Sequence, residues 1–325
     1  MSANPIGDPP PNERLTRLAA SPAFNKQITL PDGRVVSFSD LGDPAHPAVF
    51  FIHGFDSNRM GLLNCADTVT DLKLRLITID RPGYGRTTPA DPLTPSDRSP
   101  AANILIKTAT LIHTLATALS IPFFGLLGQS GGAIIALVAS LPSLVGPAAA
   151  ARVVHPVVLT SPFLPLTTPG ANQTLTGAQS RLPSAAISRM ADWALAAQWK
   201  GIAWAAWARG GSLVSSTGPP PTLRDVTFME MLRVNTAEPR RGGPGSDAIA
   251  FLAPPVFDWA TDPTFPVWIF HGTEDDMVPI DAAKWVAERM PACEMVIIEG
   301  GGHFLLGDLD VAEDVFRILR GAFSG

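Results

Sequence analysis

A serine, a histidine and a group of acids stand where they could do chemistry together. Ser130 sits at the centre of Gly128-Gln129-Ser130-Gly131-Gly132, His303 follows Glu299-Gly300-Gly301-Gly302, and Glu274, Asp275 and Asp276 are consecutive. The three types complement one another. A serine hydroxyl is a poor nucleophile at its own pKa and needs an adjacent base. Histidine titrates near neutrality, so it can take that proton and return it to a leaving group. A carboxylate fixes one imidazole tautomer and stabilises the imidazolium. The chain order is serine, acid, histidine.

Such groups need rigid elements to hold them. The apolar run 121–127 leads into the serine pentapeptide and reads as a buried strand; the Ala-rich run 133–141, unbroken until Pro142, reads as a buried helix. A strand-turn-helix carrying G-x-S-x-G lifts the serine hydroxyl clear of a sheet. Its glycines let strand and helix cross closely, and the Gly131 N–H opens the helix where an oxyanion would form. The candidate acids follow a strand at 267–270, and His303 follows one at 295–298. Groups past the carboxyl ends of strands are where open α/β sheets gather their sites.

The rest of the chain fits the same plan. Runs 26–30 and 34–40, joined by Pro31-Asp32-Gly33, predict a β-hairpin. Runs 48–52, 74–79 and 153–160 are short and apolar, as in strands buried on both faces of a parallel sheet. Helices are predicted over 60–72, 100–119 (capped by Ser99, with Pro100 first), 282–290 and 311–323. Between 163 and 262 the strand rhythm stops, and Gly/Pro/Ser-rich breaks interrupt a helical, Trp-rich segment. The expected organisation is a flexible arm over 1–24, an α/β core over 25–162 and 263–325, and a helical cap inserted over 163–262. The fold class is α/β, a mostly parallel sheet with helices on both faces.

Composition excludes several classes. The chain has 325 residues, 46% hydrophobic and 16% charged, enough for a large core. A net charge of −5 gives no reason to expect a nucleic-acid partner. Cys65 and Cys293 offer neither a disulfide framework nor metal-ligand spacing. There is no G-x-x-x-x-G-K and no H-E-x-x-H, and the glycines of 83–85 do not complete a dinucleotide fingerprint, so no cofactor or metal is expected. No signal sequence and no uninterrupted apolar stretch of about 18 residues is read, so the expected location is cytoplasmic without stable membrane insertion. The oligomeric state is not legible.

From about residue 26 onward the chain resembles the cap-bearing serine hydrolases of the α/β-hydrolase fold superfamily. The matching pieces are His53-Gly54-Phe55, Asp80-Arg81-Pro82-Gly83-Tyr84-Gly85-Arg86, the serine pentapeptide, the 272–279 loop and Gly300-Gly301-Gly302-His303. The resemblance implies that Ser130 is the nucleophile, His303 the base and Asp275 the acid, since the family's acid stands three residues before the Val at 278. It also implies oxyanion donors at the backbone N–H groups of Gly131 and Phe55. Many relatives have Gly or Pro-Gly after the His-Gly; here Phe55-Asp56-Ser57-Asn58 stands instead, and Phe55 would narrow the pocket.

Other residues carry less. His53, His113, His155 and His271 read as structural, and Asp80 beside Arg81 reads as a local ion pair or turn anchor. Trp193, Trp204 and Trp207 fall within roughly 60° on a helical wheel. They read first as a packed cap face, next as an aromatic wall that, with Phe55 and Gln129, contacts substrate. The expected activity is hydrolysis of a small or medium apolar ester, lactone or thioester. The rivals are carbon–carbon bond hydrolysis on the same triad and a non-catalytic receptor that keeps the fold. Aminopeptidase chemistry ranks low, because acids such as Asp192, Glu230 and Glu238 are sparse in the insertion.

Overall fold

The computed structural model describes residues 13–89, 100–165, 167–171, 238–239, 241–252 and 254–324. Their strands form one eight-stranded sheet: β1 (Lys26–Thr29), β2 (Val35–Leu41), β3 (Ala48–Ile52), β4 (Arg75–Ile79), β5 (Phe124–Gln129), β6 (Val153–Thr160), β7 (Val267–Gly272) and β8 (Cys293–Ile298), in the order β1-β2-β4-β3-β5-β6-β7-β8. The β1–β2 and β2–β4 pairs are antiparallel and the others parallel.

The apolar runs become strands because both faces of the sheet are covered. In β3, Ala48, Phe50 and Ile52 face one core, and Val49 and Phe51 the other. That is the two-residue period of a strand. The first core is closed by α3 (Pro100–Ala118), α4 (Gly132–Ser140) and α8 (Ile280–Ala287), and the second by α2 (Ala66–Asp71) and α9 (Leu309–Gly321). Every residue of α4 is buried, which is why its sequence shows no polar face. The short helices α5 (Pro142–Val145) and α6 (Pro147–Ala150) link α4 to β6.

Two expectations need correction. Residues 60–72 do not form one helix: a 3-10 turn at Leu63–Cys65 precedes α2. Asn58 is the cause, because its Oδ1 accepts from Met60 N–H (2.9 Å) and its carbonyl from Gly61 N–H (3.0 Å), a local turn that competes with helix. Within the arm expected over 1–24, residues 13–24 have secondary structure. They form α1 (Glu13–Ala20) and a 3-10 turn, Pro22–Phe24, that buries Phe24. Most of the expected cap, 163–262, and Ser99 lie outside the described residues. From that segment the structure describes one helix, α7 (Gly243–Leu252). Among the described residues no helix is long and apolar enough to cross a membrane.

Candidate active site

Ser130 occupies the turn between β5 and α4 with φ 51°, in the left-handed region that residues with a Cβ rarely adopt. Backbone bonds hold it there. Its N–H donates to Thr160 O (3.0 Å), and its carbonyl accepts from Ala133 N–H (3.1 Å) and Phe163 N–H (3.0 Å). Gly132 has no room for a side chain, since a Cβ would run into the Ile52 carbonyl. The loop after β3 lies directly over the serine. A Cβ on Gly54 would sit 2.8 Å from Ser130 Cβ and 3.4 Å from its hydroxyl oxygen.

Asp275 and His303 meet in the loops after β7 and β8. His303 Nδ1 lies 2.8 Å from Asp275 Oδ2, and the carboxylate is fully buried. The other oxygen, Oδ1, accepts from Met277 N–H (3.0 Å) and Val278 N–H (2.8 Å). His271 adds a third support: its Nε2 is 3.0 Å from Val278 O and 3.4 Å from Asp275 Oδ2. Burial pushes the Asp275 carboxyl up. The His303 hydrogen bond and charge, the Val278 N–H and His271 outweigh that, so it stays below the usual carboxylate range. An ionised Asp275 can accept a hydrogen bond from His303 Nδ1–H. Glu274 and Asp276 are exposed and make no bond to His303. Among the described residues Ser130 Oγ is not hydrogen-bonded to the imidazole; the two stand at the carboxyl ends of β5 and β8.

The His53–Asp56 loop rests on a buried polar cluster. His53 Nδ1 is 2.9 Å from Gly54 O, while its Nε2 accepts from Arg81 N–H (3.3 Å), which assigns the ring proton to Nδ1. Burial, and then the Arg81 charge, pull the His53 pKa far down, so it is neutral. Arg81 Nη2 donates to Gly54 O (2.8 Å) and to Asp247 Oδ2 (2.7 Å), and Nη1 pairs with Asp247 Oδ1. Tyr84 O–H donates to Asp247 Oδ2 (2.6 Å) and accepts from Asp56 N–H (3.3 Å). The half-buried Phe55 side chain packs against the core cluster. Its N–H, like that of Gly131, takes part in no hydrogen bond among the described residues.

Of the two readings of Asp80, the local ion pair with Arg81 is not formed. Asp80 binds Arg59: its Oδ1 accepts from Arg59 N–H (2.7 Å) and its Oδ2 from Nη1 (2.8 Å). Arg59 also binds Glu238 (2.8 and 2.9 Å), Asn25 Oδ1 (2.9 Å) and Phe24 O (2.7 Å). Sequence reasoning missed Arg59, Asp247 and Tyr84. A lone acid inside the apolar stretch 247–252 and the chain's single Tyr were the available signals, because a charge or phenol among apolar residues needs a buried partner. His113 and His155 are structural, the first bound through Nε2 to Ala139 O (2.8 Å) and the second stacked on Phe265. Gln129, half-buried, ends β5. Trp193, Trp204 and Trp207 lie outside the described residues. Among the described residues no group of His, Cys, Asp and Glu could hold a metal ion.

The family model described as "Alpha/beta hydrolase family" matches residues 49–317. No curated protein matches the chain in sequence. Among solved structures the chain is similar to an esterase from Exiguobacterium antarcticum (17% identity, TM-score 0.65, covering 91% of this chain and 99% of that one). It is also similar to a hydrolase from Pseudomonas aeruginosa PA01 (15%, TM-score 0.62, 94% and 100%). A third neighbour comes from a study of epoxide hydrolases in metagenomes from hot environments (18%, TM-score 0.58, 93% and 98%). At these identities the likeness speaks for the fold.

Proposed function

This chain belongs to the alpha/beta hydrolase family, and from that premise we propose that it is a serine hydrolase of small or medium apolar carboxylic esters, lactones or thioesters. Ser130 is the nucleophile, His303 the general base and Asp275 the carboxylate that orients it. Ser130 Oγ attacks the carbonyl carbon as its proton passes to His303 Nε2. The oxyanion takes hydrogen bonds from the Phe55 and Gly131 N–H groups. His303 then protonates the leaving group, and water repeats the sequence on the acyl-serine.

The observation that carries this reading is the buried, hydrogen-bonded Asp275–His303 pair. A carboxylate kept ionised against one imidazole nitrogen, at the same edge of the sheet as a serine strained into a left-handed turn, is suited to acyl transfer. An acidic pocket for a substrate amine finds no support in Glu238, whose carboxylate is bound to Arg59.

The test is fluorophosphonate labelling followed by hydrolysis of a chain-length series of p-nitrophenyl esters. Ser130→Ala is expected to abolish labelling and lower kcat by about 10⁶-fold with folding kept. Hydrolysis by that variant at a tenth of the parent rate would rule Ser130 out.

A further inference from the structure

The Gly54–Phe55 peptide is held from behind. Its carbonyl and its N–H belong to one planar trans unit and point in opposite directions. Two donors grip the carbonyl, Arg81 Nη2 at 2.8 Å and His53 Nδ1 at 2.9 Å. Fixing that oxygen fixes the direction of the Phe55 N–H. Arg81 is itself locked by both oxygens of Asp247, and Asp247 by the Tyr84 hydroxyl, which receives the Asp56 N–H. The cluster is dry: His53 is 0%, Tyr84 1%, Arg81 2% and Asp247 3% exposed. A buried chain of charge-assisted bonds has little freedom to shift.

The helix supplying Asp247 reaches the second backbone donor as well. Phe251 lies four residues on, hence on the same face of α7. It packs so closely on Gly131 that a Cβ there would collide with its ring. One helical face therefore touches Gly131 directly and the Gly54–Phe55 peptide through Arg81. Neutralising Arg81 alone would need only a nearby carboxylate. The two-oxygen grip on a guanidinium that also holds the Gly54 carbonyl does more.

We propose that Asp247 is a positioning residue for the oxyanion-binding peptide, acting through Arg81 to aim the Phe55 N–H at the oxygen that becomes charged on Ser130 attack. The inference rests on the serine hydrolase reading above. It sets Asp247 apart from a residue that only stabilises the fold, because a misaimed donor weakens the transition state and leaves substrate binding alone.

The experiment compares parent, Asp247→Asn, Asp247→Glu and Tyr84→Phe on p-nitrophenyl butyrate, with folding checked by circular dichroism. An alkyl trifluoromethyl ketone, whose serine adduct carries the oxyanion, serves as a second probe. Asp247→Asn should lower kcat by about 10- to 100-fold, with KM within about threefold. Its affinity for the ketone should fall by the same factor, while that for the matching secondary alcohol holds. Asp247→Glu should recover part of kcat. Tyr84→Phe, which keeps the ring and loses the hydroxyl's bonds to Asp247 and to the Asp56 N–H, should lower kcat by roughly threefold to tenfold, and it decides the matter if Asp247→Asn does not fold. Folded variants with kcat and ketone affinity within twofold of the parent overturn the positioning role alone. A parent that neither cleaves the ester nor is labelled at Ser130 overturns the hydrolase reading, and this inference with it.

Discussion

Two arginines, Arg59 and Arg81, are buried with carboxylates a few ångströms from the same strand end, yet they face different parts of the molecule. Arg59 joins the end of β4 at Asp80 to Glu238 and to the segment before β1, through Asn25 and the Phe24 carbonyl. Among the described residues none of those groups is hydrogen-bonded to His53, Gly54 or Phe55. Arg81 joins α7 to the carbonyl of the peptide that lies on Ser130. The same chemistry serves as a staple in one place and as an alignment device in the other. What separates them is the backbone carbonyl that each guanidinium also binds, that of Phe24 or that of Gly54.

Three tests bear on that contrast. The largest effect belongs to the carboxylate bonded directly to His303. Asp275→Asn should lower kcat by about 10⁴-fold, against tenfold or less for the exposed Glu274→Gln and Asp276→Asn, measured at one pH. A crippled Asp276→Asn would mean that the hydrogen-bonded acid is not the one that orients the base.

Next comes the staple. Arg59→Met strands the Asp80 carboxylate, which is fully buried, and loosens Glu238. Breaking one side of such a pair costs about 3–5 kcal/mol. Thermal unfolding should therefore drop by roughly 10 °C, while kcat and KM of the folded protein stay within about threefold. A kcat that falls as far as that of Asp247→Asn, with folding intact, would erase the distinction between the two clusters.

The smallest effect is in pH. His53 belongs to the Arg81 cluster, and no histidine is bound to Arg59 among the described residues. The folded pKa values of His53 and His271 are lowered by burial from an ordinary value of 6.5. As the pH falls below about 6.5 the unfolded chain takes up protons that the folded chain refuses, so stability is full above that point and is lost below it. The loss should be on the order of 1 kcal/mol per pH unit for each such histidine. Asp275, held below the usual range, contributes stability above the ordinary carboxylate pKa that is lost as the pH falls further. An unfolding temperature that does not move between about pH 7.5 and 5.5 would show that the histidines are not held neutral.

The sheet was legible because strands buried on both faces are written as unbroken apolar runs. The runs 48–52 and 153–160 coincide with β3 and β6. The turn at Ser130 was legible because Gly132 has to let the helix pass the Ile52 carbonyl. The family resemblance points to the acid three residues before Val278, Asp275, and the hydrogen bond from His303 reaches that residue and not its neighbours. The helix over 60–72 was misread because Asn58 makes a turn that competes with apolar periodicity. The ion-pair reading of Asp80 with Arg81, one of the two readings offered, is not realised because of geometry that local sequence does not show. Neighbours at a strand end point to opposite sides, so each finds its partner far away in sequence, Arg59 21 residues and Asp247 166 residues distant. Periodicity carries no record of such partners.

The turn before β1 has a practical consequence for anyone shortening or tagging this protein. The stretch ahead of Lys26 looks expendable, a proline-rich leader before the first strand of the sheet. Yet Phe24 is 1% exposed and its carbonyl receives Arg59 Nε at 2.7 Å, while Asn25 receives Nη2 at 2.9 Å. A chain trimmed to start at Lys26 would leave a hole where an aromatic ring had been and a guanidinium with two of its donors facing nothing. Any cut or tag therefore has to leave Phe24 and Asn25 in place.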